Sequence, residues 1–438
     1  MMTAALHNLG CKVNSYETDV MQQLLIDAGY RIVDFNSPAD VYIVNTCTVT
    51  NMADRKSRQM LHKAKGQNEK AIVVAVGCYA QAAGEALLED MAVDIVVGNN
   101  RKKDIVRILE EYKQQHCVTD SMIDINHTSE YETLTLQRTS EHTRAYIKIQ
   151  DGCNQFCTYC IIPFARGRVR SRKREDIEAE VKALARMGYK EVVLTGIHIS
   201  SYGIDLENEN LLSLLIALDK IEGLERIRLG SLEPRIITDE FVQKISTMEK
   251  ICPHFHLSMQ SGSDATLKRM NRHYTSAQYY ETCEILRKYY DRVAITTDVI
   301  VGFPQESEEE FEESRSFVEK VKFFETHIFK YSKREGTNAA KMPGQIPEQE
   351  KTRRSSILIE LGKRHKKEFL EYYVGKEIEI LLEEEICLDG KKMQVGHTKE
   401  YMKAAVDTEE NLQNQIVRAK VIRVHENEIL VTVRVNSN

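Results

Sequence analysis

The stretch "AYIKIQDGCNQFCTYC" (residues 145–160) decides the fold of the central part of the chain. It opens with a short apolar run that predicts a buried strand, and it ends in three thiols, Cys153, Cys157 and Cys160. In β/α barrels the functional groups sit at the C-terminal ends of the strands. The stretch therefore predicts the first strand of such a barrel, followed by a ligand-bearing loop.

The sequence after this loop keeps alternating between strand-like and helix-like segments. Amphipathic segments such as "EDIEAEVKALARMG" separate the apolar runs, as in a series of β/α units. The predicted strands cover residues 145–149, 191–196, 226–231, 254–259, 294–303 and 324–332. Six strands joined by helices predict a partial or complete β/α barrel.

Two further units flank the predicted barrel. Residues 1–125 alternate four buried runs (4–9, 40–46, 70–77, 93–98) with amphipathic segments, which indicates an open parallel α/β sheet. Residues 126–144 are polar and aperiodic and are predicted to be a linker. The barrel unit is assigned to 145–370, and the alternating strands of 371–438 predict a small all-β barrel.

Composition limits the possible classes of protein. With 42% hydrophobic and 29% charged residues, no apolar run of about 20 residues and no secretory start, the chain is expected to be cytoplasmic and without a membrane span. Structural disulfides are rare there, so the ten cysteines are better explained as ligands, catalysts or buried residues. The net charge of −6 confines any nucleic-acid contact to local patches.

Three kinds of site could use Cys153, Cys157 and Cys160. A structural zinc site takes four ligands, but no second cysteine pair follows, and His142 and His198 fall outside zinc-finger spacing. A redox pair would leave Cys153 unused. An iron–sulfur cluster held by three thiolates uses all of them and leaves one iron open, which is typical of a catalytic metal. The cluster is the interpretation that fits best.

The spacing C-x-x-x-C-x-x-C, with Tyr159 before the last cysteine and a barrel strand ahead of it, resembles that of the radical S-adenosylmethionine enzymes. The resemblance implies a 4Fe-4S cluster on these three cysteines. Its open iron would chelate the amino and carboxylate groups of S-adenosylmethionine. One electron would then cleave the sulfonium to give a 5′-deoxyadenosyl radical.

A second set of thiols, Cys11, Cys47 and Cys78, follows three predicted strands of the N-terminal sheet. Residues just past the carboxyl ends of parallel strands line one common crevice, so the three thiols are expected to converge. Cysteine is also a common buried residue, and three structural cysteines are the alternative.

The segments "NLGCKVNSYETD", "VNTCTVTNMAD", "VGCYAQ" and "GCNQFCTYCIIPFARGRVRSR" together resemble the methylthiotransferase family over the whole chain. The resemblance implies an N-terminal cluster domain, a radical domain and a C-terminal barrel of the TRAM type. It also implies a second 4Fe-4S cluster on Cys11, Cys47 and Cys78. The family attaches a methylthio group to an unactivated carbon, using one S-adenosylmethionine as methyl donor and another as radical source. The origin of the sulfur stays open.

Polar residues after the barrel strands are expected to hold S-adenosylmethionine. These cofactor-binding candidates are Thr195, Gly196, Ser231, Glu233, Gln260 and Asp298. The alternative for each is a turn or cap residue that is satisfied within the protein.

The family acts either on an adenosine beside the tRNA anticodon or on an aspartate of a ribosomal protein. From Arg166 to Arg174, six of nine positions are Lys or Arg, which suits an RNA backbone, although a solvated basic loop is the alternative. The segment "IIPFARGRVRSR" resembles the branch that acts on N6-threonylcarbamoyladenosine. Arg166, Arg168 and Arg170 are candidate partners for its carboxylate.

We therefore expect a tRNA threonylcarbamoyladenosine methylthiotransferase. The expected partners are tRNA and a reductant such as a flavodoxin or ferredoxin. The alternatives are a methylthiotransferase acting on isopentenyladenosine or on the ribosomal-protein aspartate and, from another class, an RNA-binding iron–sulfur sensor.

Overall fold

The computed structural model describes residues 1–117, 121–136, 143–408 and 410–435. Its N-terminal unit is an open, all-parallel sheet in the order β2-β1-β3-β4-β5. The strands are β1 (Thr3–Asn8), β2 (Arg31–Ile32), β3 (Val41–Thr46), β4 (Ile72–Gly77) and β5 (Ile95–Val97), and the helices are α1 (Lys12–Asp27), α2 (Asn51–Gln67), α3 (Cys78–Ala83) and α4 (Ile105–Gln115). Every residue of β3 is buried, as expected for a central strand covered on both faces.

The central unit is an open barrel of six parallel strands. β6, β8 and β9 form one parallel group and β10, β11 and β12 another, and isolated bridges such as Leu232 with Leu257 join the two groups. The strands are β6 (Arg144–Asp151), β7 (Arg170–Ser171), β8 (Glu191–Gly196), β9 (Arg226–Leu229), β10 (His254–His256), β11 (Ala294–Val301) and β12 (Glu325–Lys330). The short β7 pairs antiparallel with the end of β6.

Helices cover the outer face of this barrel. They are α6 (Arg174–Arg186), α7 (Leu211–Asp219), α8 (Asp239–Ile245), α9 (Asp264–Arg269), α10 (Ser276–Tyr289), α11 (Glu308–Val321) and α13 (Glu348–Glu371). Two four-residue helices lie elsewhere: α5 (Ile162–Ala165) packs on α3, and α12 (Asn338–Lys341) is bonded to the cluster loop through Ala339 and Thr158. Alternate residues of β6 (Ala145, Ile147, Ile149) pack in the core beneath these helices. Tyr146, Lys148 and the other residues between them point into the lumen, because successive side chains of a strand face opposite ways.

The C-terminal unit is a closed five-stranded barrel in the order β13-β14-β15-β17-β16. Its strands are β13 (Glu377–Leu388), β14 (Lys391–His397), β15 (Lys403–Asp407), β16 (Ile416–His425) and β17 (Ile429–Arg434). Arg226 and Arg228 of β9 donate hydrogen bonds to the carbonyls of His397 and Thr398. These bonds join the small barrel to the central one.

The predicted fold class is confirmed: an N-terminal open parallel sheet, a central partial six-stranded barrel and a C-terminal small β-barrel. The predicted linker is different in character. Its described part has no regular secondary structure but is packed, since Leu134 and Leu136 are buried against Tyr16 of α1. Residues 137–142 of that segment lie outside the described ranges. Among the described helices, none combines the length and apolarity needed to cross a membrane.

Candidate active site

The loop that carries Cys153, Cys157 and Cys160 is clamped at its start. Gly152 has φ +71°, and a Cβ built there would lie 1.8 Å from the carbonyl oxygen of Arg168. The N–H of Cys153 donates to the carbonyl of Gly167 at 3.0 Å. The segment after the cluster loop thus folds back onto its beginning and fixes its position at the end of β6.

The three thiols of this loop are half-buried beside a guanidinium group. Arg272 Nη1 donates to Cys157 Sγ at 3.3 Å, and Arg272 is held by Ser258 and Tyr274. Burial raises the pKa of Cys153 to about 11 and that of Cys160 to about 12. Thiols of this kind are neutral alone and lose their protons when they bind a metal.

The second set, Cys11, Cys47 and Cys78, also converges. A Cβ on Gly10, which has φ +105°, would lie 3.0 Å from Cys47 Sγ, so this glycine lets the loop that carries Cys11 approach Cys47. The pKa of Cys47 is raised to about 11, first by burial and then by the neighbouring Cys78 and Cys11 thiols. The three thiols share one edge of the N-terminal sheet, as three consecutive strand ends should.

Both sets fit a 4Fe-4S cluster better than a single zinc ion. Thiolates on one tetrahedral zinc lie about 3.8 Å apart, because Zn–S bonds are about 2.3 Å. Within the described ranges, neither set has its three sulfur atoms all within 4.8 Å of one another. A four-iron cluster binds each thiolate through a different iron, and a three-thiolate set leaves one iron for another ligand. His142 lies outside the described residues, and His198 bonds to Ser201.

A buried charge network joins the two sets. Glu17 of α1 accepts from Lys148 Nζ at 2.7 Å and from Arg166 Nη1 at 2.7 Å, and it pairs with Lys102 Nζ at 3.1 Å. Asp151, at the end of β6, pairs with Lys148 at 2.6 Å and with Arg166 at 3.2 Å. Burial alone would raise the pKa of Glu17, but the surrounding cations lower it well below its ordinary value. The network therefore stays ionised and ties α1 to the barrel.

The three candidate arginines take different positions. Arg166 is fully buried: its guanidinium donates to Glu17, Asn14 and Cys78 Sγ, the last at 3.1 Å. Arg170 is also buried and donates to the carbonyls of Arg166 and Arg168. Both guanidinium groups are thus bonded to protein acceptors, and their contact with a substrate carboxylate stays a prediction. Arg168 is half-buried, with its guanidinium over the exposed ring of Phe156 at 4.6 Å.

A cavity of about 250 Å³ lies against the cluster loop. Two of the expected S-adenosylmethionine ligands, Gln260 and Asp298, line it together with Cys160 and Tyr159. Val49 and Thr50 of the N-terminal unit close its other side. The cavity is therefore shared between the radical-cluster loop, the barrel and the segment that follows Cys47.

The other expected cofactor ligands do not line this cavity. Thr195 is buried at the end of β8, and a Cβ on Gly196 would meet Gln150 and Ile199, so protein already fills the space beside this glycine. Glu233 pairs with Arg235 at 2.8 Å, and Ser231 is exposed. All four lie at C-terminal strand ends, on the same side of the barrel as the cluster loop.

The structure also places Arg272, Lys12, Tyr401 and His327 near the two thiol sets or the barrel lumen, although the sequence did not single them out. Arg272 follows a short helix in "MNRHY", where nothing in the sequence pattern marks it. Lys12 adjoins Cys11, and Tyr401 extends from the C-terminal barrel toward it. His256, Asp298 and His327 have ligand atoms within 4.8 Å of one another.

Two helices, α2 and α13, carry several basic side chains each, and they differ in how these are paired. On α13 the basic side chains have carboxylate partners, as in an ordinary charged face: Arg353 with Glu308, Arg354 with Glu306, Lys363 with Glu360, Arg364 with Glu319, Lys366 with Glu325 and Lys367 with Glu371. On α2, Arg55 and Lys56 are exposed and have no acceptor among the described residues.

Comparison with known proteins identifies the family. The Radical SAM superfamily profile matches residues 147–318, and that of the uncharacterized protein family UPF0004 matches residues 3–98. The chain is 42% identical over 425 residues to the threonylcarbamoyladenosine tRNA methylthiotransferase MtaB of Bacillus subtilis, covering 97% of this chain and 94% of that protein. The chain belongs to the radical S-adenosylmethionine methylthiotransferase family.

Two more relatives of this methylthiotransferase bear on its place in the family. MtaB of Aquifex aeolicus is 45% identical, over 88% of this chain and 93% of that protein. The tRNA-2-methylthio-N(6)-dimethylallyladenosine synthase of Thermoanaerobacter pseudethanolicus is 39% identical, over 86% of this chain and 81% of that protein. The prediction of a methylthiotransferase rather than an iron–sulfur sensor is confirmed.

Solved structures support the fold of the methylthiotransferase. The radical S-adenosylmethionine methyltransferase TsrM of Kitasatospora setae superposes with a TM-score of 0.56 at 15% identity, over 75% of this chain and 72% of that chain. At that identity the likeness concerns the fold alone. The cofactors of the family are S-adenosylmethionine and two 4Fe-4S clusters, and the donor sets of both thiol sites fit such clusters.

Proposed function

We propose that this methylthiotransferase converts N6-threonylcarbamoyladenosine, next to the anticodon of tRNA, to its 2-methylthio derivative. The observation that carries the proposal is a cavity lined both by Cys160 of the first thiol set and by Val49 and Thr50, which follow Cys47 of the second set, in a chain 42–45% identical to two proteins named for this activity. Relatives named for dimethylallyladenosine are 36–39% identical, which favours the threonylcarbamoyl substrate.

Each thiol set has its own role in this proposal. Cys153, Cys157 and Cys160 hold the radical cluster, and Cys11, Cys47 and Cys78 hold the cluster that serves sulfur transfer. With S-adenosylmethionine bound, the first cluster supplies the 5′-deoxyadenosyl radical and the second takes part in delivering the methylthio group. Gln260 and Asp298, which line the same cavity as Cys160, would hold S-adenosylmethionine there.

The protein's own residues orient the reactants and exclude water. Arg272 fixes Cys157 through an N–H···S hydrogen bond, and the Gly152 turn fixes Cys153. The apolar side chains of Val49, Ile162 and Ile300 line the cavity and limit solvent access to a reactive carbon radical. Arg166 donates to Cys78, so the segment that follows the radical-cluster loop also positions a ligand of the second cluster.

Cationic side chains near the cavity would contact the tRNA backbone. Arg55 and Lys56 of α2 and the half-buried Arg168 are the candidates, because no carboxylate of the described residues pairs with them. The C-terminal barrel, which resembles a TRAM module, would extend this contact. A flavodoxin or ferredoxin would supply the electrons, and the site of action would be the cytoplasm.

Nucleoside mass spectrometry of tRNA tests the substrate. A strain without this protein should lack 2-methylthio-N6-threonylcarbamoyladenosine, and the wild-type chain should restore it. The Cys47→Ala variant should not restore it, whereas Cys387→Ala, an exposed cysteine of the C-terminal barrel, should serve as the active control. Unchanged modification in the deleted strain would refute the proposal.

The roles of the two thiol sites can be distinguished by variants assayed in vitro. We expect Cys157→Ala to abolish release of 5′-deoxyadenosine from S-adenosylmethionine under reducing, anaerobic conditions. Cys47→Ala should still release 5′-deoxyadenosine but form no methylthiolated nucleoside. Methylthiolation by Cys47→Ala would remove the second thiol set from the mechanism.

A further inference from the structure

Lys12 lies where the second thiol set meets the barrel lumen. It is the first residue of α1 and directly follows Cys11. α1 packs across β6 and β8 of the barrel. The Lys12 Nζ atom lies 5.9 Å from the centre of the Tyr401 ring of the C-terminal barrel. That ring also lies against Arg144 and His254, the first residues of β6 and β10.

The other cations around Tyr401 are already paired. Arg144, 5.0 Å from the ring, pairs with Glu383 at 3.2 Å, and Arg228, 4.7 Å from the ring, pairs with Glu191 at 2.7 Å. The Lys12 ammonium has no carboxylate, carbonyl or hydroxyl acceptor anywhere in the described part of the chain. A half-buried cation among other cations is unfavourable unless an anion joins it.

The lumen beyond Lys12 is polar. His254 is buried, and its Nδ1 has no hydrogen-bond partner among the described residues. His256 bonds to Asp298, which lines the cavity beside Cys160. An apolar substituent in this lumen would desolvate these groups without replacing their hydrogen bonds, whereas a polar, anionic substituent would satisfy them.

The covalent structure of the substrate indicates that its carboxylate lies near Lys12 when C2 faces the second thiol set. In adenine, C2 and the N6-bearing carbon flank the same ring nitrogen, so a substituent on N6 shares an edge of the base with C2. The carbon that receives the methylthio group must face Cys11, Cys47 and Cys78. A carboxylate at the end of the N6 substituent would then lie on the lumen side of Cys11, where the Lys12 side chain extends.

We propose that Lys12 binds the threonyl carboxylate of the substrate and thereby sets the preference for threonylcarbamoyladenosine over adenosines with uncharged N6 groups. The inference rests on the proposed function and deepens it. The role falls to Lys12 instead of Arg166 and Arg170, whose guanidinium groups are committed to protein acceptors.

The test compares two anticodon stem-loops that differ only in charge. One carries N6-threonylcarbamoyladenosine, and the other carries the same group with its carboxylate converted to the neutral carboxamide. Binding is measured by fluorescence anisotropy, and kcat/KM of methylthiolation is measured with the reconstituted full chain. The wild type should prefer the carboxylate by about 10- to 100-fold, the range of a charge-assisted hydrogen bond.

In Lys12→Met the preference should fall to about one, and Lys12→Arg should keep most of it. Lys56→Met, an exposed lysine of α2, should weaken both stem-loops equally. Iron content reports whether the adjacent Cys11 still holds its cluster in each variant. The comparison of the two stem-loops with the wild-type protein tests recognition of the carboxylate even if a Lys12 variant loses iron.

The outcomes separate the two proposals. A carboxylate preference in the wild type that Lys12→Met retains, or no preference in the wild type, would overturn the role of Lys12. Methylthiolation of neither stem-loop by the wild type would refute the proposed function, while the binding preference and its loss in Lys12→Met would still establish the carboxylate site.

Discussion

At the scale of single residues, the contact between Arg272 and Cys157 is the one that bears most directly on the radical cluster. The guanidinium donates to Cys157 Sγ at 3.3 Å and is itself anchored on Ser258 and Tyr274. Hydrogen bonds to cluster sulfur and nearby positive charge are among the factors that set a cluster's reduction potential. Arg272 is therefore a positioning residue for a ligand of the radical cluster.

We expect Arg272→Met to lower the reduction potential of this cluster by about 65–130 mV, because the reduced, more negative state loses a charged donor worth about 1.5–3 kcal/mol and the couple transfers one electron. The potential is measured by a redox titration followed by electron paramagnetic resonance. Arg272→Lys should recover part of the loss. Arg418→Met, an exposed arginine of the C-terminal barrel, is the control and should leave the potential unchanged.

The sequence predicts the role of a single residue only where its spacing from other functional residues, or from a strand, indicates that role. Cys153, Cys157 and Cys160 lie close together in the sequence, and Cys11, Cys47 and Cys78 each follow an apolar strand, so both sets could be recognised. Arg272 and Lys12 act through contacts with residues far away in the sequence, such as Cys157 and Tyr401. Arg166 and Arg168 are the same residue type in the same basic segment, so the sequence does not distinguish them. The fold shows that Arg166 is fully buried and Arg168 is half-buried.

At the scale of elements, the radical-cluster loop depends on a backbone that only glycine accommodates. Gly152 combines φ +71° with a Cβ position 1.8 Å from the carbonyl oxygen of Arg168. A side chain there must push the loop away from the segment that follows it. The strain of a positive φ alone is of the order of 1–3 kcal/mol, and the collision adds to it.

Gly152→Ala should therefore displace Cys153 and cost the protein its radical cluster. Purified anaerobically, the variant should contain about four iron atoms, against about eight for the wild type with two 4Fe-4S clusters. Gly29→Ala is a matched control, since Gly29 also has a positive φ (+86°) but nothing lies within 4 Å of its Cβ position. A full complement of iron in Gly152→Ala would contradict the assigned role of this turn.

The elements that sequence periodicity predicted are those that bury long apolar runs. All six barrel strands and the four predicted strands of the N-terminal sheet, β1, β3, β4 and the three-residue β5, lie within a few residues of their predicted bounds. The two-residue strands β2 and β7 are too short to show a period. Residues 126–144 were predicted to be a linker because they are polar and aperiodic. Within that segment the Glu132 carboxylate accepts from the N–H of Lys103 and the Tyr131 hydroxyl donates to the carbonyl of Lys148, partners that the local sequence does not reveal.

At the scale of the whole molecule, the buried network around Glu17 connects the N-terminal sheet to the barrel. Lys148 bridges Glu17 of α1 and Asp151 of β6, and all three side chains are almost fully buried. The same network holds Arg166, which donates to Cys78. The geometry between the two thiol sets thus depends on charges that solvent does not reach.

Lys148→Met should be strongly destabilising, because it leaves Glu17 and Asp151 buried with one cation fewer. Removing one partner of a buried ion pair costs about 3–5 kcal/mol, whereas removing both restores the balance of charge. The double variant Glu17→Gln/Lys148→Met should therefore lose less than the sum of the two single variants. The measurement is the free energy of unfolding in urea for the four proteins of this cycle.

Lys363→Met provides the matched control, since Lys363 pairs with Glu360 on the surface of α13 at 2.7 Å and both side chains are largely exposed. Its loss should cost no more than about 1 kcal/mol. Equal effects of Lys148→Met and Lys363→Met, or strict additivity in the cycle, would show that the network does not hold the two units together. If the network holds the two units together, the packing of α1 on the barrel sets the distance between the two clusters. Lys148→Met should then lower the rate of methylthiolation more than it lowers the rate of S-adenosylmethionine cleavage.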